Sequence, residues 1–278
     1  AGIDSKHSSR IKFEKKFNRP AFANYLDAIK EFSPDLIVIS TPTESHFPIF
    51  EDILKIYTPK LFLIEKPLSC FTSDTNKFIN LSKKKVKIAV NYFREYEPNY
   101  LSISSQIKEG LLGFPLKIVV NYSKGILNNG SHFLKYISNF MGKYHSISIT
   151  EPGREVLFND IEPDFKLKFN NGLAYFIAHN EENFSYYNLE IVGPKGKLTL
   201  SDDGEQINHY SVIDDPLYDG YRILSDRPNI YKADMNKYQS FVYDNIYQYL
   251  KGNSEIICDE NSMETTNKIL EKIIEKRN

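Results

Sequence analysis

The first third of the chain alternates short apolar runs with amphipathic stretches, a pattern that predicts strands and helices arranged around a parallel sheet. The predicted strands cover residues 35 to 41, 61 to 65 and 86 to 91. The predicted helices between them cover residues 46 to 57 and 72 to 84. Such a succession is typical of half of a doubly wound fold.

The pattern changes after Asn91, where a predicted helix from about 96 to 110 is followed by longer alternating runs. Two pairs of these runs are predicted to form hairpins, 165–169 with 173–177 around Asn170-Asn171-Gly172, and 189–192 with 197–200 around Gly193-Pro194-Lys195-Gly196. Helical spacing returns over about 234 to 251 and 261 to 276. The second part of the chain therefore predicts a largely antiparallel sheet with helices against it.

Composition narrows the choice of partners. The 35 basic and 36 acidic residues nearly cancel, which argues against nucleic acid or an acidic membrane surface as a partner. Because no stretch approaches 18 consecutive apolar residues and no signal peptide is evident, we expect a cytoplasmic protein that binds small molecules or other protein chains. Two distant cysteines and six histidines without paired spacing predict neither a disulfide framework nor a metal site.

Lys66 ends the apolar run Leu61 to Ile64 and stands between Glu65 and Pro67. A buried strand does not normally deliver such a charged pair at its end unless a cation is needed there. Because ligands of open parallel sheets bind outside the carboxyl ends of the strands, the tip of this strand is a candidate active site. The alternative is a solvated strand end with a surface salt bridge.

The two neighbouring strand ends also carry polar residues. The run from Ser40 to His46 leads from a strand into a helix N-terminus, whose free N–H groups suit a polar ligand group. An ordinary helix cap by Thr43 or Ser45 is the alternative. The run from Asn91 to Arg94 follows the next strand, and its arginine is suited to an anionic or hydroxylated ligand.

A segment from Gly125 to His132 leads into an apolar helix in the second part of the chain. Glycine and small residues bring the backbone close to a ligand, and a helical start places Asn128 and His132 four residues apart on one face. A lone histidine at a helix start is more often an ordinary hydrogen-bonded residue. Its combination with the strand-end motifs makes it a candidate for catalysis.

Four motifs in order resemble the glucose-fructose oxidoreductase, inositol dehydrogenase and MocA (Gfo/Idh/MocA) family: Thr41-Pro42 with His46, Glu65-Lys66-Pro67, Asn91 with Arg94, and Gly125 to His132. The resemblance implies a Rossmann-like α/β nucleotide-binding domain over residues 1–92 and an α+β substrate and oligomerisation domain over residues 93–258. It also implies a C-terminal helix over residues 259–278 that packs back on the first domain. In similar enzymes the Lys-Pro bond is often cis, and we expect the same here.

The resemblance implies hydride transfer between NAD or NADP and a hydroxyl-bearing carbon of a sugar, cyclitol or nucleotide sugar. His132 is the implied base, because a histidine whose pKa lies near the working pH is suited to take the hydroxyl proton. Lys66 would stabilise the oxygen, and Glu65 would orient Lys66. The implied catalytic residues are Lys66 and His132, the substrate-binding residues are Lys66, Arg94, Asn128 and His132, and the cofactor-binding residues are Asp4, Ser40, Thr41, Pro42, His46, Glu65, Lys66, Asn91 and Arg94.

Two positions near the histidine depart from the family pattern. Asn128 stands where members commonly carry an aspartate, and an amide cannot accept a proton at neutral pH. Lys135 stands where another aspartate is often found. Both changes make the predicted site more positive, which favours an anionic substrate such as a nucleotide sugar or sugar acid.

The start of the chain departs further. A dinucleotide-binding fold needs a glycine-rich turn after its first strand, yet Gly2 is the only glycine before Gly110. The first four residues resemble the end of the family's second strand, with Asp4 at the adenine ribose. We therefore expect a Rossmann-like domain truncated at its start by about thirty residues. Asp4 favours NAD, nearby basic residues leave NADP open, and cofactor binding without the turn is an open question.

The resemblance leaves two alternative functions. Some proteins similar to this family are NAD-assisted glycosidases, which use transient oxidation to cleave a glycosidic bond. Others bind a sugar or nucleotide as non-catalytic sensors, and Asn128 in place of an aspartate is compatible with that role. In each case we expect a sugar-like small molecule as ligand and a homo-oligomer formed through the open face of the second sheet.

Overall fold

The computed structural model describes residues 1–156, 160–201 and 204–276. It begins with two strand–helix units, which are β1 (Gly2–Ile3), α1 (His7–Phe17), β2 (Ala21–Phe22) and α2 (Tyr25–Phe32). Strands β1 and β2 pair in parallel as a small sheet of their own. No side chain of α1 is buried, whereas α2 buries Ala28 and Ile29.

A parallel three-stranded sheet follows, and its central strand is completely buried. Its elements are β3 (Leu36–Ile39), α3 (His46–Ile56), β4 (Leu61–Ile64), α4 (Thr72–Lys85) and β5 (Lys87–Val90), with the strands in the order β3-β4-β5. Each of the four side chains of β4 is buried, as expected for a central parallel strand. The three predicted strands and two predicted helices of this region are confirmed, with ends that differ by at most two residues.

The second sheet has nine strands and is antiparallel except at its centre. Its strands are β6 (Leu116–Tyr122), β7 (Tyr144–Glu151), β10 (Asp164–Phe169), β11 (Gly172–Ala178), β12 (Asn188–Gly193), β13 (Gly196–Ser201), β14 (Gln206–Asp214), β15 (Arg222–Leu224) and β16 (Asn229–Lys232). Their order is β15-β14-β13-β12-β6-β11-β10-β7, and β16 also pairs with β14. Only the β6–β11 pair is parallel among these described strands. Both predicted hairpins are confirmed by the β10–β11 and β12–β13 pairings.

A separate two-stranded ladder contributes a residue to the site that is described below. It consists of β8 (Glu155–Val156) and β9 (Asp160–Ile161), which pair in antiparallel fashion. The ladder falls in a polar part of the sequence, and the alternation of apolar and polar residues did not predict it.

The remaining helices connect and cover the two sheets. They are α5 (Pro98–Lys108), α6 (Ser131–Ser138), α7 (Tyr238–Leu250) and α8 (Glu264–Glu275). Each of α7 and α8 is preceded by a short 3₁₀ turn, so the predicted helices over 234–251 and 261–276 are confirmed with later starts. In the described part of the chain no helix is both long and apolar enough to cross a membrane.

Helix α8 packs against both parts of the chain. Ile269, Leu270 and Ile273 belong to the core under the second sheet. On another side, Asn267 donates a hydrogen bond of 2.6 Å to the hydroxyl of Thr75 in α4. The helix therefore contacts both the first region and the second. The division of the chain after residues 92 and 258 stays a prediction.

Candidate functional site

The carboxyl ends of β3, β4 and β5 meet at one edge of the parallel sheet and bring predicted site residues together. The amide of Glu65 donates to the carbonyl of Ile39 at 2.9 Å, and the amide of Asn91 donates to the carbonyl of Ile64 at 2.9 Å. The side-chain amide of Asn91 donates to Oε1 of Glu65 at 2.7 Å. Glu65 is thereby held beside Lys66 by the neighbouring strand.

Lys66 reaches from this edge to the second part of the chain. Its Nζ donates to the side-chain oxygen of Asn128 at 3.0 Å and also to the backbone carbonyl of Asn128. The Lys66–Pro67 peptide bond is cis, as expected. The ammonium is therefore held by two oxygens of one residue that lies 62 positions away along the chain.

The surroundings of Lys66 disfavour its charged form. Burial lowers the pKa of Lys66 to about 8, and the positive charge of Arg94 acts in the same direction. The negative charges of Glu65 and Asp160 oppose this shift but do not cancel it. A lysine with such a pKa carries an appreciable neutral fraction near pH 7 to 8, unlike an ordinary surface lysine.

His132 lies in the same cluster and is only 4% exposed. Its ring is 4.5 Å from the ring of Phe93 and 5.4 Å from the ring of Tyr92, measured between centroids. Burial, then Arg94 and Lys66, lower its pKa well below the ordinary value. The expectation of a pKa near the working pH is therefore wrong, because a buried imidazole beside two cations stays neutral.

One nitrogen of this ring has no partner. Nδ1 of His132 is buried and lacks a hydrogen bond to any described residue. We expected Asn128 and His132 to lie four residues apart on one regular α-helix. This expectation is wrong, because Ile126–Gly130 forms a π-helical turn before α6 begins. The wider turn instead points two oxygens of Asn128 at Lys66.

Arg94 follows β5 and lies between two aromatic rings. Its guanidinium carbon is 4.9 Å from the centre of the Phe93 ring and 5.1 Å from that of Phe133. Its Nε is buried and finds no hydrogen-bond acceptor among the described residues. Since Arg94 also lowers the pKa of His132 and Lys66, its charge lies within the same cluster.

The turn after β3 is shaped by a buried histidine. His46 is 1% exposed, with Nε2 at 2.8 Å from the carbonyl oxygen of Thr41 and Nδ1 at 3.3 Å from that of Leu68. Burial lowers the pKa of His46, and the hydrogen bonds oppose that shift. The ring thus joins the turn after β3 to the segment after β4, and it is enclosed within the fold.

The helix cap considered for this turn is wrong. Thr43–Ser45 forms a 3₁₀ turn that runs directly into α3, and the side chain that precedes each helix makes no capping hydrogen bond. Ser40, Thr41 and Pro42 are exposed at the edge where the strands end. Asp4 lies in another part of the fold, where its carboxylate accepts the amide of Lys6 at 2.7 Å and its carbonyl accepts Arg10 at 2.8 Å.

Lys135 does not make the site more positive, contrary to expectation. Its ammonium is 2% exposed and forms an ion pair of 2.9 Å with the carboxylate of Glu95, with Asn139 as a second partner at 2.8 Å. Burial opposes its charge, but Glu95 outweighs burial and raises the pKa of Lys135. The side chain is therefore neutralised inside the protein and cannot contact a substrate.

Asp160 belongs to the cluster and was not predicted from the sequence. It is 4% exposed, and its carboxylate accepts the amides of Leu127 and Asn128 at 2.9 and 2.8 Å. Burial raises the pKa of Asp160, whereas these amide hydrogen bonds and the charge of Lys66 oppose the shift. A signal was present in the sequence, because Asp160 and Glu162 flank one isoleucine in a segment without basic residues.

The cluster fits the nicotinamide end of a dinucleotide better than the pyrophosphate end. Buried polar atoms without a partner among the described residues, on Asn91, Arg94 and His132, lie around the strand ends and offer hydrogen bonds to a bound group. Between Gly2 and Gly110, however, this chain has no glycine, so none of these residues forms a glycine-rich turn for a pyrophosphate.

Sequence comparisons match the first part of this chain to a known family of oxidoreductases. The family described as "Oxidoreductase family, NAD-binding Rossmann fold" matches residues 1–93. The inositol 2-dehydrogenase/D-chiro-inositol 3-dehydrogenase of Lactiplantibacillus plantarum is 27% identical over 97 residues, which are 34% of this chain and 27% of that protein. The inositol 2-dehydrogenase of Rubrobacter xylanophilus is 24% identical over 120 residues, which are 42% of this chain and 33% of that protein. The match thus spans a third or less of each relative's length.

Comparisons of structure extend the likeness in fold to nearly the whole chain. The UDP-N-acetylglucosamine 3-dehydrogenase GnnA from Acidithiobacillus ferrooxidans superposes with a TM-score of 0.77 at 13% identity, covering 98% of this chain and 88% of that one. The WlbA dehydrogenase from Bordetella pertussis, in complex with NADH and UDP-GlcNAcA, gives 0.74 at 14% identity, covering 99% and 86%. A Rossmann-like domain followed by a mostly antiparallel sheet is the fold these proteins share.

Proposed function

Because the chain belongs to the Gfo/Idh/MocA family of oxidoreductases, we propose that the protein transfers a hydride between NAD(P) and a hydroxyl-bearing carbon of a sugar, cyclitol or nucleotide sugar. One observation carries the proposal: a lysine with a pKa of about 8 is held by Asn128 beside a buried neutral histidine. Such a lysine can exchange a proton with a substrate hydroxyl near neutral pH.

The proton is assigned mainly to Lys66. As the substrate carbon is oxidised, its hydroxyl loses a proton, and the neutral amine of Lys66 is the better acceptor. The pKa of Lys66 is about 8, whereas burial and two neighbouring cations lower the pKa of His132 well below its ordinary value. His132 in its neutral form hydrogen-bonds the same hydroxyl and orients it. A bound nicotinamide supplies the carbon that accepts or donates the hydride.

The remaining predicted residues divide into direct and supporting roles. Ser40, Thr41 and Pro42 present an exposed edge to the cofactor, and Asn91 holds Glu65 beside Lys66. We assign His46 a supporting role, since its ring is enclosed between two carbonyl oxygens. Asp4 is proposed to contact the adenine ribose. Calorimetry with each nucleotide distinguishes NAD from NADP.

The preference for an anionic substrate is now supported by Arg94 and no longer by Lys135. Arg94 has no ion-pair partner among the described residues, and it lies close enough to His132 and Lys66 to lower both pKa values. A carboxylate or phosphate on the substrate would provide the missing partner. The bound UDP-GlcNAcA of the Bordetella pertussis dehydrogenase, a nucleotide sugar, is compatible with this preference.

A homo-oligomer is proposed through the open face of the nine-stranded sheet. Tyr175, Ile177 and Val192 are exposed on strands whose alternate residues are buried in the core. Apolar side chains on such a face are typical of a surface that another subunit covers.

The test is turnover of this chain with NAD or NADP and a panel of myo-inositol, UDP-N-acetylglucosamine and its uronic acid, followed by the absorbance of reduced nicotinamide. We expect net cofactor reduction with at least one substrate and a roughly hundredfold or greater loss in Lys66→Met. Lys60→Met is the matched control, because Lys60 is an exposed lysine at the opposite end of β4. Its turnover should equal that of the parent.

Other outcomes separate the alternatives. Release of a sugar without net cofactor reduction would identify an NAD-assisted glycosidase. A sensor would be identified if the parent shows no turnover and ligand binding is retained in His132→Ala. If calorimetry detects no binding of either nicotinamide nucleotide or any panel sugar, the proposed function is wrong for this chain.

A further inference from the structure

We propose that Asp160 is a positioning residue of this site, whose carboxylate fixes the turn carrying Asn128 and, through Asn128, the ammonium of Lys66. A role of Asp160 in catalysis rests on the proposed function, whereas the contacts of Asp160 with the turn do not depend on that function. Asn128 lacks the charge of an aspartate. Asp160 supplies a carboxylate to the same cluster from the other side of the turn.

Three backbone amides hold the carboxylate of Asp160. Oδ1 of Asp160 accepts the amides of Leu127 and Ile161 at 2.9 and 2.8 Å, and Oδ2 accepts the amide of Asn128 at 2.8 Å. Two of these amides belong to the start of the π-helical turn, where N–H groups have no partner within the helix. A carboxylate at a helix start is stabilised by these donors and by the helix dipole.

The backbone at Gly125 closely approaches the carboxylate of Asp160. A Cβ added to Gly125 would lie 2.0 Å from Oδ2 of Asp160, and Gly125 has a φ of 85°. Only glycine therefore fits beneath this carboxylate. The amide of Gly125 is itself held by the buried carboxylate of Glu162 at 3.1 Å, so two acidic residues fix consecutive parts of one turn.

Asn128 connects this turn to Lys66. Asn128 is exposed, and its amide N–H is bound to Asp160 while both of its oxygens accept from Lys66. Displacing the turn would therefore displace the two acceptors that hold the ammonium. The negative charge of Asp160 also favours the charged form of Lys66, as does that of Glu65.

Other charged groups face the same pair and must stay unchanged in the test. Lys66 also faces Glu65, Arg94 and His132, and Asp160 also faces Tyr122 and Cys70. The test variant is Asp160→Asn, and the control is Glu162→Gln, which removes a buried carboxylate from the same turn. Both are made in the full chain and checked for folding by circular dichroism.

The readout is acetylation of the Lys66 amine as a function of pH, quantified by mass spectrometry. Its midpoint reports the pKa of Lys66 and requires neither substrate nor cofactor. In Asp160→Asn we expect a midpoint lower by half a unit to one unit, so that acetylation at pH 7 rises roughly three- to fivefold. Glu162→Gln should keep the midpoint of the parent, because one side-chain oxygen suffices for the single bond from the Gly125 amide, whereas Asp160 uses both oxygens for three amides. Adding Asn128→Asp to Asp160→Asn should return the midpoint to the parent value or above.

An unchanged midpoint in Asp160→Asn, or equal shifts in both single variants, would overturn the proposal. If Asp160→Asn does not fold, nuclear magnetic resonance of the parent decides. The amides of Leu127 and Asn128 and the ε-carbon of Lys66 should then shift with one common midpoint as Asp160 is protonated, and separate midpoints overturn it. A shifted midpoint without turnover rejects only the proposed function. Turnover with an unchanged midpoint rejects only the role of Asp160.

Discussion

Lys66 and Lys135 are both largely enclosed by protein, and they differ in what compensates for the loss of water. Burial lowers the pKa of Lys66 to about 8, because its hydrogen-bond partners on Asn128 are neutral. Lys135 is buried more deeply, yet its pKa is raised because the carboxylate of Glu95 lies 2.9 Å away. Lys66 is therefore able to change its charge near neutral pH, whereas Lys135 has a structural charge.

Replacing Lys135 with methionine tests this structural role. The change leaves the carboxylate of Glu95 buried without its cation, so we expect the free energy of unfolding to fall by about 3–5 kcal/mol. Urea unfolding at pH 7 measures the loss. The double variant Glu95→Met with Lys135→Met removes both charges and should recover most of it.

Lys237→Met is the matched control for this experiment. Lys237 forms an ion pair of 2.7 Å with Asp234, but both side chains are exposed. Breaking an exposed pair should cost less than about 1 kcal/mol. A loss in Lys135→Met no larger than in this control would show that the Glu95 charge is not confined to the interior.

At the scale of residues, the sequence was informative where a charge interrupts an apolar strand. Lys66 was found because it follows four apolar residues that a parallel sheet buries. The predicted effect of Lys135 is wrong, because the family pattern indicates only which residue type stands at that position, and the packing of Glu95 against α6 neutralises the side chain inside the protein. Asp160 could not be assigned, because its contact with Asn128 joins residues 32 positions apart.

The π-helical turn is the element on which the site depends, and Gly125 is its critical residue. In Gly125→Ala, the new methyl group would overlap the Asp160 carboxylate in addition to the strain of a positive φ. We expect the free energy of unfolding to fall by about 3 kcal/mol or more, since a buried carboxylate must move away from its donors. Chemical denaturation of the purified variant provides the measurement.

Gly220→Ala separates these two effects. Gly220 has a φ of 77°, close to that of Gly125, but a Cβ there would meet no atom within 4 Å. This control should lose only the cost of the left-handed conformation, roughly 1 kcal/mol. Equal losses in the two variants would mean that the turn relaxes away from Asp160 at no cost.

At the scale of elements, regular periodicity was predictable and irregular turns were not. Asn-Asn-Gly and Gly-Pro-Lys-Gly each specify a tight turn locally, so the hairpins β10–β11 and β12–β13 followed from a few residues. The π-helical turn depends on carboxylates supplied by β9 and the residue after it. Short-range patterns contain no information about such distant partners.

The two sheets are joined by the C-terminal segment, which contributes side chains to both cores. Met263, just before α8, lies in the core under the first sheet, while Leu270 in α8 lies in the core under the second. The order of strands and helices along the chain predicted the two architectures, because each sheet has its own periodicity. How the strand ends face the π-helical turn depends on this shared packing, and the sequence alone did not determine it.

Buried histidines make the stability of the whole molecule sensitive to acid. The pKa of His132 is lowered in the folded state, so below its ordinary value near 6.5 the unfolded chain binds a proton that the folded protein does not. Stability from this residue is therefore present above pH 6.5 and is lost as the pH falls; His46 acts with the same sign. Between pH 7 and pH 5 the loss from His132 reaches up to about 2 kcal/mol.

His132→Gln should remove that part of the pH dependence in urea unfolding, whereas His7→Gln, at an exposed histidine, should retain it. The same pH dependence in all three proteins would show that His132 is protonated in the folded state.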